Sequence, residues 1–415
     1  MSDHQVTPNS DYRPNPKHAV EVFGTLTEEL GERLAIRINE LRSSPDGDKP
    51  ITVFINSRGG LVRVLEIIHG ALSTRDQDNR SVRIITVSIG ESASAAANLL
   101  AFGDYAIAYS HSVIYFHGVR ANEVELTAED AAGVAKRFAA INRKTANELA
   151  RRVMGRMAYR YITAKSDVKR RLRRCRAKKQ QKSELECFGE YIKDRVGAKA
   201  RQLVEESISN VQFMYSMIGN VFSKIDSFGN ASQVRRDFKV LRALVEHELK
   251  FYRKHNLVLN EAGINELASD YLVLRDGVFG EHVTLIRRAV RTWGAAFLSE
   301  PDFQLYRSKK EANKEEAATA ILLKKAGPVA EPFFYFVIHL CRNLLKGENR
   351  LSPVDAYWLG IVDEVAGTSL TGERLLAERT KAPPPAVAPP AESLPSSSAP
   401  IPPSPSGHQH QSISL

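Results

Sequence analysis

Four short apolar runs in the first 120 residues constrain the fold of this chain more than any other feature. Each run is rich in β-branched residues and stops at glycine, serine or histidine, and three of them are followed by apolar residues at helical spacing. We predict strands at 20–23, 51–56, 82–89 and 113–116, and helices at 26–41, 61–72 and 94–102. Strands that alternate with helices in this order are typical of βαβ units, so the sequence predicts an α/β fold with a largely parallel sheet.

Beyond residue 126 the pattern changes to helical periodicity with few strand signals. Thr127 fits the N-cap of a helix that we expect to end near Met154. Further helices are predicted at 184–222, 233–253, 260–274 and 283–298. The α/β pattern returns with a helix at 352–359 and a strand at 361–365.

The predicted division of the chain has five parts. They are a flexible leader at 1–18, the first part of the α/β core at 19–155, a helical insertion at 156–344, the closing part of the core at 345–381 and a tail at 382–415. The leader has no apolar stretch, so we expect no signal peptide. The tail holds 10 of the 19 prolines, so we expect it to be disordered.

Cysteine content and hydropathy exclude several classes of protein. The chain of 415 residues has three cysteines and no CxxC pair, which argues against a zinc ribbon and against a disulfide framework. The longest apolar stretch near the end, 332–340, is too short to span a bilayer. We therefore expect a soluble cytoplasmic protein with no metal and no membrane partner.

The net charge of +10 is concentrated in one segment. Residues 151–182 contain 14 Lys and Arg against one acid, a charge of +13, so the rest of the chain sums to −3. The densest group in this segment, Arg170, Arg171, Arg173 and Arg174, is a candidate site for phosphates, including those of a nucleic acid. The same composition fits a solvated arm between core and insertion, and the sparse aromatic residues argue against base stacking.

Three local motifs of the α/β part carry residues suited to chemistry. At Gly59-Gly60 a strand meets a helix, where free N–H groups can hold an anion or the glycines can simply form a tight turn. Ser94, at the next strand-to-helix turn, presents its hydroxyl either as a nucleophile or as a helix cap. His117 ends a strand and is a candidate base, because a nucleophilic serine needs a group to take its proton.

Together these motifs resemble the proteolytic subunit of the Clp protease family. The similar stretches are INSRGG at 55–60, GESASAAA at 90–97 and VIYFH at 113–117, with VEVFGTLT at 20–27 and LSPVDAYWLGIVD at 351–363. The resemblance covers about 19–155 and 345–368. It implies a ClpP/crotonase-like core of repeated ββα units, here with a mostly α-helical inserted domain and a Pro-rich C-terminal tail.

The resemblance also implies roles for five residues. Ser94 corresponds to the nucleophile and His117 to the general base. The backbone N–H groups of Gly60 and Ala95 correspond to the oxyanion hole. The family's acid is an aspartate four residues before the serine of the closing motif, and Glu348 stands there. A glutamate can still orient the imidazole, but its longer side chain needs a shifted backbone.

The implied activity is that of a serine endopeptidase acting on protein or peptide substrates. The family assembles into rings, so we expect a homo-oligomer, and no cofactor. ATP would act through a separate AAA+ unfoldase, because the chain lacks a G-x-x-x-x-G-K-[ST] phosphate loop. Arg58 replaces the family's usual proline, and a cation beside the cleft would alter substrate preference.

Three alternatives stay open. The glutamate at 348 and the arginine at 58 also fit a catalytically weak or inactive structural or regulatory subunit. The basic segment fits a nucleic-acid-associated protein. A crotonase-type acyl-CoA enzyme shares the architecture, but it would not need the pair of Ser94 and His117.

Overall fold

A mostly parallel seven-stranded sheet forms the centre of the structure, a computed structural model that describes residues 12–75, 81–120, 128–225 and 285–371. The strands are β1 (Ala19–Leu26), β2 (Ile51–Gly60), β3 (Ile84–Ala93), β4 (Tyr105–Tyr109), β5 (Val113–His117), β6 (Glu348–Leu351) and β7 (Glu364–Ala366). The helices are α1 (Glu28–Ser43), α2 (Val62–Ser73), α3 (Ala95–Phe102), α4 (Ala128–Ala177), α5 (Glu184–Lys193), α6 (Ala198–Ile225), α7 (Glu300–Glu311), α8 (Glu315–Ile321), α9 (Gly327–Leu344) and α10 (Pro353–Trp358). Residues 285–293 are also helical.

The strand order brings the carboxyl ends of β2, β3 and β5 together. β1, β2, β3, β4 and β7 are neighbours in that order, and all these pairs are parallel. β3 changes partner along its length, since residues 85–88 pair with β4 and residues 91–93 pair with parallel β5. β6 then pairs antiparallel with β5. The α/β prediction is therefore confirmed.

Two strands are longer than the sequence predicted. β2 continues through Gly59 and Gly60, and β3 continues through Gly90, where breaks were expected. Both extensions have a strand beside them, because Thr25 of β1 lies opposite Gly59 and β5 joins β3 after Gly90. The strand β4 was not predicted, since alanine fills two of its five positions and only one residue in it is β-branched.

The helix α3 is packed tightly against the sheet. Six of its eight residues, all alanine or leucine, are buried, and the helix contacts β2 and β3. Small side chains let a helix lie close to its neighbours, so the first turn of α3 is held at the carboxyl edge of the sheet. That turn carries the serine and alanine predicted to act there.

The helix α4 extends over 50 residues, so the predicted end near Met154 is wrong. Its second half keeps a buried stripe at helical spacing, formed by Val153, Met157, Tyr161, Ala164 and Val168. The interpretation of 151–182 as a solvated arm is wrong for 153–168, because Arg156 and Arg160 are buried and donate to backbone carbonyls of the α/β part. Most residues from 169 to 179 are exposed.

The predicted helix at 184–222 is two helices, α5 and α6. A capping box of Ser183 and Glu186 begins α5. The chain turns before α6, where the N–H of Gly197 donates to Asp355 at 2.8 Å. A contact made by the closing part of the core thus holds the turn in the helical region.

Several predictions lie outside the described residues. These are most of the leader, the N-cap at Thr127, the helices at 233–253 and 260–274, and the tail at 382–415. The domain division stays a prediction, and its boundary at 155 falls inside α4. In the described part of the chain, no helix is long and apolar enough to cross a membrane.

Candidate active site

Ser94 lies at a sharp turn between β3 and α3. Its backbone has φ 56° and ψ −122°, a left-handed conformation that is uncommon for residues other than glycine. The turn is held by its N–H, which donates to the carbonyl of Tyr115 at 2.7 Å. The Ser94 side chain forms no cap hydrogen bond, so the interpretation of Ser94 as an ordinary helix cap is wrong. A strained strand-to-helix turn that exposes a hydroxyl is typical of a nucleophilic serine.

The glycine pair at the end of β2 packs directly against this turn. Gly59 has φ 87°, and a Cβ at this position would lie 2.6 Å from the carbonyl oxygen of Ala93 and 2.7 Å from the Cβ of Ser94. At Gly60 a Cβ would lie 2.5 Å from the carbonyl oxygen of Leu26. Only glycine therefore allows β2 to approach Ser94 this closely.

A cleft of about 740 Å³ opens beside the Ser94 turn. Four of the predicted site residues line it, namely Ser94, His117, Gly60 and Ala95. Ala95 is the first residue of α3, so its N–H has no acceptor within the helix. An N–H at this place can donate to an oxyanion formed on a carbon bonded to Ser94.

The sheet register sets the position of His117. Ala93 lies opposite Tyr115 in the parallel pair of β3 and β5, so Ser94 and His117 follow paired residues at the same edge. The Nδ1 of His117 is 2.7 Å from the carbonyl oxygen of Gly118. Among the described residues, no hydrogen bond joins the Ser94 hydroxyl to His117.

Glu348 lies directly opposite His117 in the antiparallel pair of β5 and β6. Its carboxylate forms no hydrogen bond with His117 but accepts one from Nη2 of Arg120 at 2.8 Å. This hydrogen bond, and then one from Tyr115, lowers the pKa of the Glu348 carboxyl. The backbone thus places Glu348 where the resemblance puts the acid, while its side chain is held by Arg120.

The neighbouring Asn349 has a different role. It is buried, and its Nδ2 donates to the carbonyls of Asn343, Leu344 and Lys346 at 3.1, 2.9 and 2.8 Å. These bonds close the turn from α9 into β6. Asn349 therefore fixes the start of the strand that carries Glu348 and is not available to orient His117.

Two residues of the cleft were missed by the sequence analysis. Asn98 lines the cleft, and its buried Oδ1 has no hydrogen-bond partner among the described residues. It follows Ser94 by four residues, so the helical spacing could have indicated it. Arg120 lies beyond the last motif that was recognised, and nothing in the sequence pairs it with a residue 228 positions away.

The candidate anion-binding residues are at the far end of α4, and none of them lines the cleft. Arg170 pairs with Asp167, and Arg171 pairs with Asp194 at 2.6 Å. Arg173 and Arg174 are exposed and form no ion pair with any described residue. The predicted group thus divides into two paired and two unpaired cations.

A family model described as Clp protease matches residues 19–173. The match includes the strands and helices that hold the serine, the histidine and the glycine pair, and it ends within α4. The chain matches no curated protein to which it was compared. The sheet with its added helical region agrees with the ClpP-like fold that the resemblance implied. Residues 19–173 of this chain are therefore similar to the Clp protease family.

Proposed function

We propose that this protein is a Clp-like serine peptidase that hydrolyses peptide bonds of protein substrates with Ser94 as the nucleophile. The observation that carries the proposal is the left-handed backbone of Ser94 at a strand-to-helix turn, in a cleft that it shares with His117. Strain of this kind persists where the surrounding structure enforces it, and it is concentrated at functional sites.

The geometry supports a two-step acyl transfer. The Oγ of Ser94 attacks the peptide carbonyl while Nε2 of His117 takes the hydroxyl proton. The carbonyl oxygen becomes an oxyanion, which the N–H groups of Gly60 and Ala95 stabilise. His117 then gives its proton to the leaving amine, and a water molecule, deprotonated by His117, releases the acyl group from Ser94.

The imidazole has two candidate orienting groups. In the structure the Gly118 carbonyl is near Nδ1 of His117, and a carbonyl acceptor there would leave Nε2 free to act as the base. Glu348 is the second group, and it would have to leave Arg120 to reach the imidazole. We propose that Glu348, once released from Arg120, is the carboxylate that orients the His117 imidazole. Directly opposed residues of paired strands project on the same face of the sheet, so the Glu348 side chain is on the His117 side.

The proposal is tested by hydrolysis of fluorogenic peptides and of an unfolded protein. Ser94→Ala should lower kcat by at least about a thousandfold, because the nucleophile is lost. Ser92→Ala is the matched control. Ser92 is two residues away, but it is buried and donates to the hydroxyl of Ser88 at 2.8 Å, so it cannot react with substrate. Equal activity in Ser94→Ala and wild type would refute the proposed mechanism.

A catalytically weak or inactive subunit is the second candidate. Two observations favour it, the lack of a hydrogen bond from Ser94 to His117 and the ion pair of Glu348 with Arg120. A regulatory subunit of this kind would bind peptides without cleaving them and would gain activity only in a mixed assembly. Turnover by the isolated, folded protein would exclude it.

The assembly and its partners are proposals of the same kind. We propose a homo-oligomer that degrades folded proteins only with a separate AAA+ unfoldase. Sedimentation velocity measures the oligomeric state. Cleavage of short peptides without ATP, together with resistance of a folded protein substrate, is the pattern that a separate unfoldase predicts.

The end of α4 favours an anionic partner as a further candidate. Between 169 and 179, six exposed cations form no ion pair with a described residue: Lys169, Arg173, Arg174, Arg176, Lys178 and Lys179. A nucleic acid bound there should be released steeply as salt increases. Replacing Arg173 and Arg174 by Gln should reduce retention on DNA or RNA at low salt, and no retention of wild type would refute this candidate.

A further inference from the structure

The charges that the described residues bring to the wall of the cleft are positive. Among the described residues that form its wall, Arg58 and Arg120 carry fixed charges and no carboxylate is present. Each arginine has an acidic neighbour just outside the wall. Arg58 is 3.4 Å from Glu91, and Arg120 is 2.8 Å from Glu348. The cleft is thus suited to a substrate that brings its own negative charge.

Arg120 is close to the proposed chemistry. It follows His117 by three residues, and Tyr115 contributes to the pKa shifts of both Arg120 and Glu348. The rings of Tyr115 and His117 have centroids 5.4 Å apart. A group bound by Arg120 would therefore lie within the same small cluster as the base.

The ion pair of Arg120 with Glu348 is open to exchange. The two side chains are 49% and 65% exposed, and exposed pairs of this kind contribute only about 0–1 kcal/mol to stability. The guanidinium fork matches a carboxylate from any source, so an incoming carboxylate replaces Glu348 at little cost.

We propose that Arg120 binds a carboxylate of the substrate, an acidic side chain near the scissile bond, and releases Glu348 in exchange. The inference rests on the proposed peptidase function and names its substrate class, acidic peptides. Once released, Glu348 is free on the face of the sheet that it shares with His117. An acidic substrate would then bind more tightly, and by releasing Glu348 it would let that carboxylate orient His117.

The test measures binding without cleavage, in the Ser94→Ala protein. Calorimetry compares two peptides that are identical except that one has Glu and the other has Gln near the scissile bond. The comparison is repeated with this residue at different positions on either side of the bond. The Glu peptide should bind about tenfold more tightly at one position, the size of effect expected for a charge-assisted hydrogen bond.

Three further substitutions in that protein separate the parts of the proposal. Arg120→Gln should bring the ratio of the two affinities to about one. Glu348→Gln should raise the ratio several-fold, because the competing carboxylate of the protein is gone. Arg58→Gln removes the same charge from the other side of the cleft, so it is the matched control and should keep most of the preference.

The outcomes that overturn the proposal are distinct from failure of the peptidase function. Equal affinity for the two peptides, or binding of neither at millimolar concentration, would overturn it. So would a preference that survives Arg120→Gln or that shrinks in Glu348→Gln. A protein that binds the Glu peptide as expected but cleaves nothing with Ser94 intact would instead refute the proposed function and leave the recognition by Arg120 standing.

Discussion

At the scale of single residues, the site depends on contacts that leave no room for side chains. Gly59 is the clearest case, since a Cβ there would overlap the backbone of Ala93 and the side chain of Ser94. The sequence showed that a glycine pair stood at this turn, and it left open whether the turn was merely tight. The reason for Gly59 is the approach of a second strand, which local sequence does not encode.

Gly59→Ala should therefore disturb both stability and the Ser94 turn. We expect a loss of about 2 kcal/mol or more in the free energy of unfolding, because the left-handed backbone and the contact with Ala93 are both violated. Gly133→Ala is the control, because Gly133 is exposed in α4 with open space at its Cβ, and it should stabilise by up to about 1 kcal/mol. Urea denaturation measures both, and equal effects would contradict the account.

His69 makes stability depend on pH. Its ring stacks on Phe102 with centroids 4.1 Å apart, and its Nε2 is buried without a hydrogen-bond partner among the described residues. Burial, and then the charge of Arg152, lowers the pKa of His69 to about 4. In the unfolded chain the pKa is about 6.5, so the unfolded state takes up the proton first as the pH falls.

The stability that neutral His69 contributes is complete above pH 6.5 and is lost as the pH falls toward 4. Between pH 7 and pH 5, wild type should lose about 2 kcal/mol more of its free energy of unfolding than His69→Leu does. Denaturant titrations at the two pH values measure this difference. The same loss in both proteins would show that His69 does not cause it.

At the scale of elements, the sequence predicted what local patterns encode. The apolar runs predicted the positions of β1, β2, β3 and β5, and the helical spacing of Leu34 and Ile38 predicted α1. What it missed depends on partners distant in the chain. β4 is a strand because β3 and β7 flank it, and α6 begins directly after Gly197, which Asp355 holds.

The length of α4 was missed for another reason. Its net positive charge suggested solvent exposure, yet Tyr161 and Val168 belong to a buried stripe that runs through the same residues. Arg160 shows how a positive charge fits into this buried stripe. Its guanidinium donates to the carbonyls of Tyr357 and Val362, both at 3.1 Å, and lies 3.4 Å from the centre of the Tyr357 ring. Burial lowers the pKa of Arg160. The contacts with the two carbonyls and the ring hold the guanidinium in its buried position.

Arg160→Ala should destabilise the protein by about 3 kcal/mol, because it leaves a cavity and removes a hydrogen-bond donor from each of two carbonyls. Arg173→Ala, in the exposed last turns of the same helix, should change the free energy of unfolding by less than about 0.5 kcal/mol. Chemical denaturation of the two variants measures the contrast. A small effect at Arg160 would mean that α4 does not anchor the closing part of the core.

At the scale of the whole molecule, the helical region and the α/β part share one hydrophobic core. The same cluster of buried residues includes Ile55 of β2, Val153 of α4 and Phe333 of α9. The sequence predicted an insertion that projects from the core, because nothing in its periodicity shows which helix faces pack on the sheet. The shared core implies that the two parts stabilise each other.

The two regions should therefore unfold together. The chain has two tryptophans: Trp293 belongs to the helical region near Gly155 of α4, and Trp358 ends α10 in the closing part of the core. Fluorescence of Trp293→Phe and Trp358→Phe reports on one tryptophan each. We expect the two transitions to coincide with each other and with the loss of helix measured by circular dichroism. Two separated transitions would show that the helical region folds independently.

The proposal that Ser94 is an activated nucleophile is tested by locating the adduct of a serine-reactive fluorophosphonate in the folded wild-type protein. Mass spectrometry of the digested product should find the adduct on Ser94. His117→Ala should slow the labelling by at least about a thousandfold, because the base that takes the proton is gone. Absence of an adduct in folded protein, or an adduct at another serine only, would contradict the account.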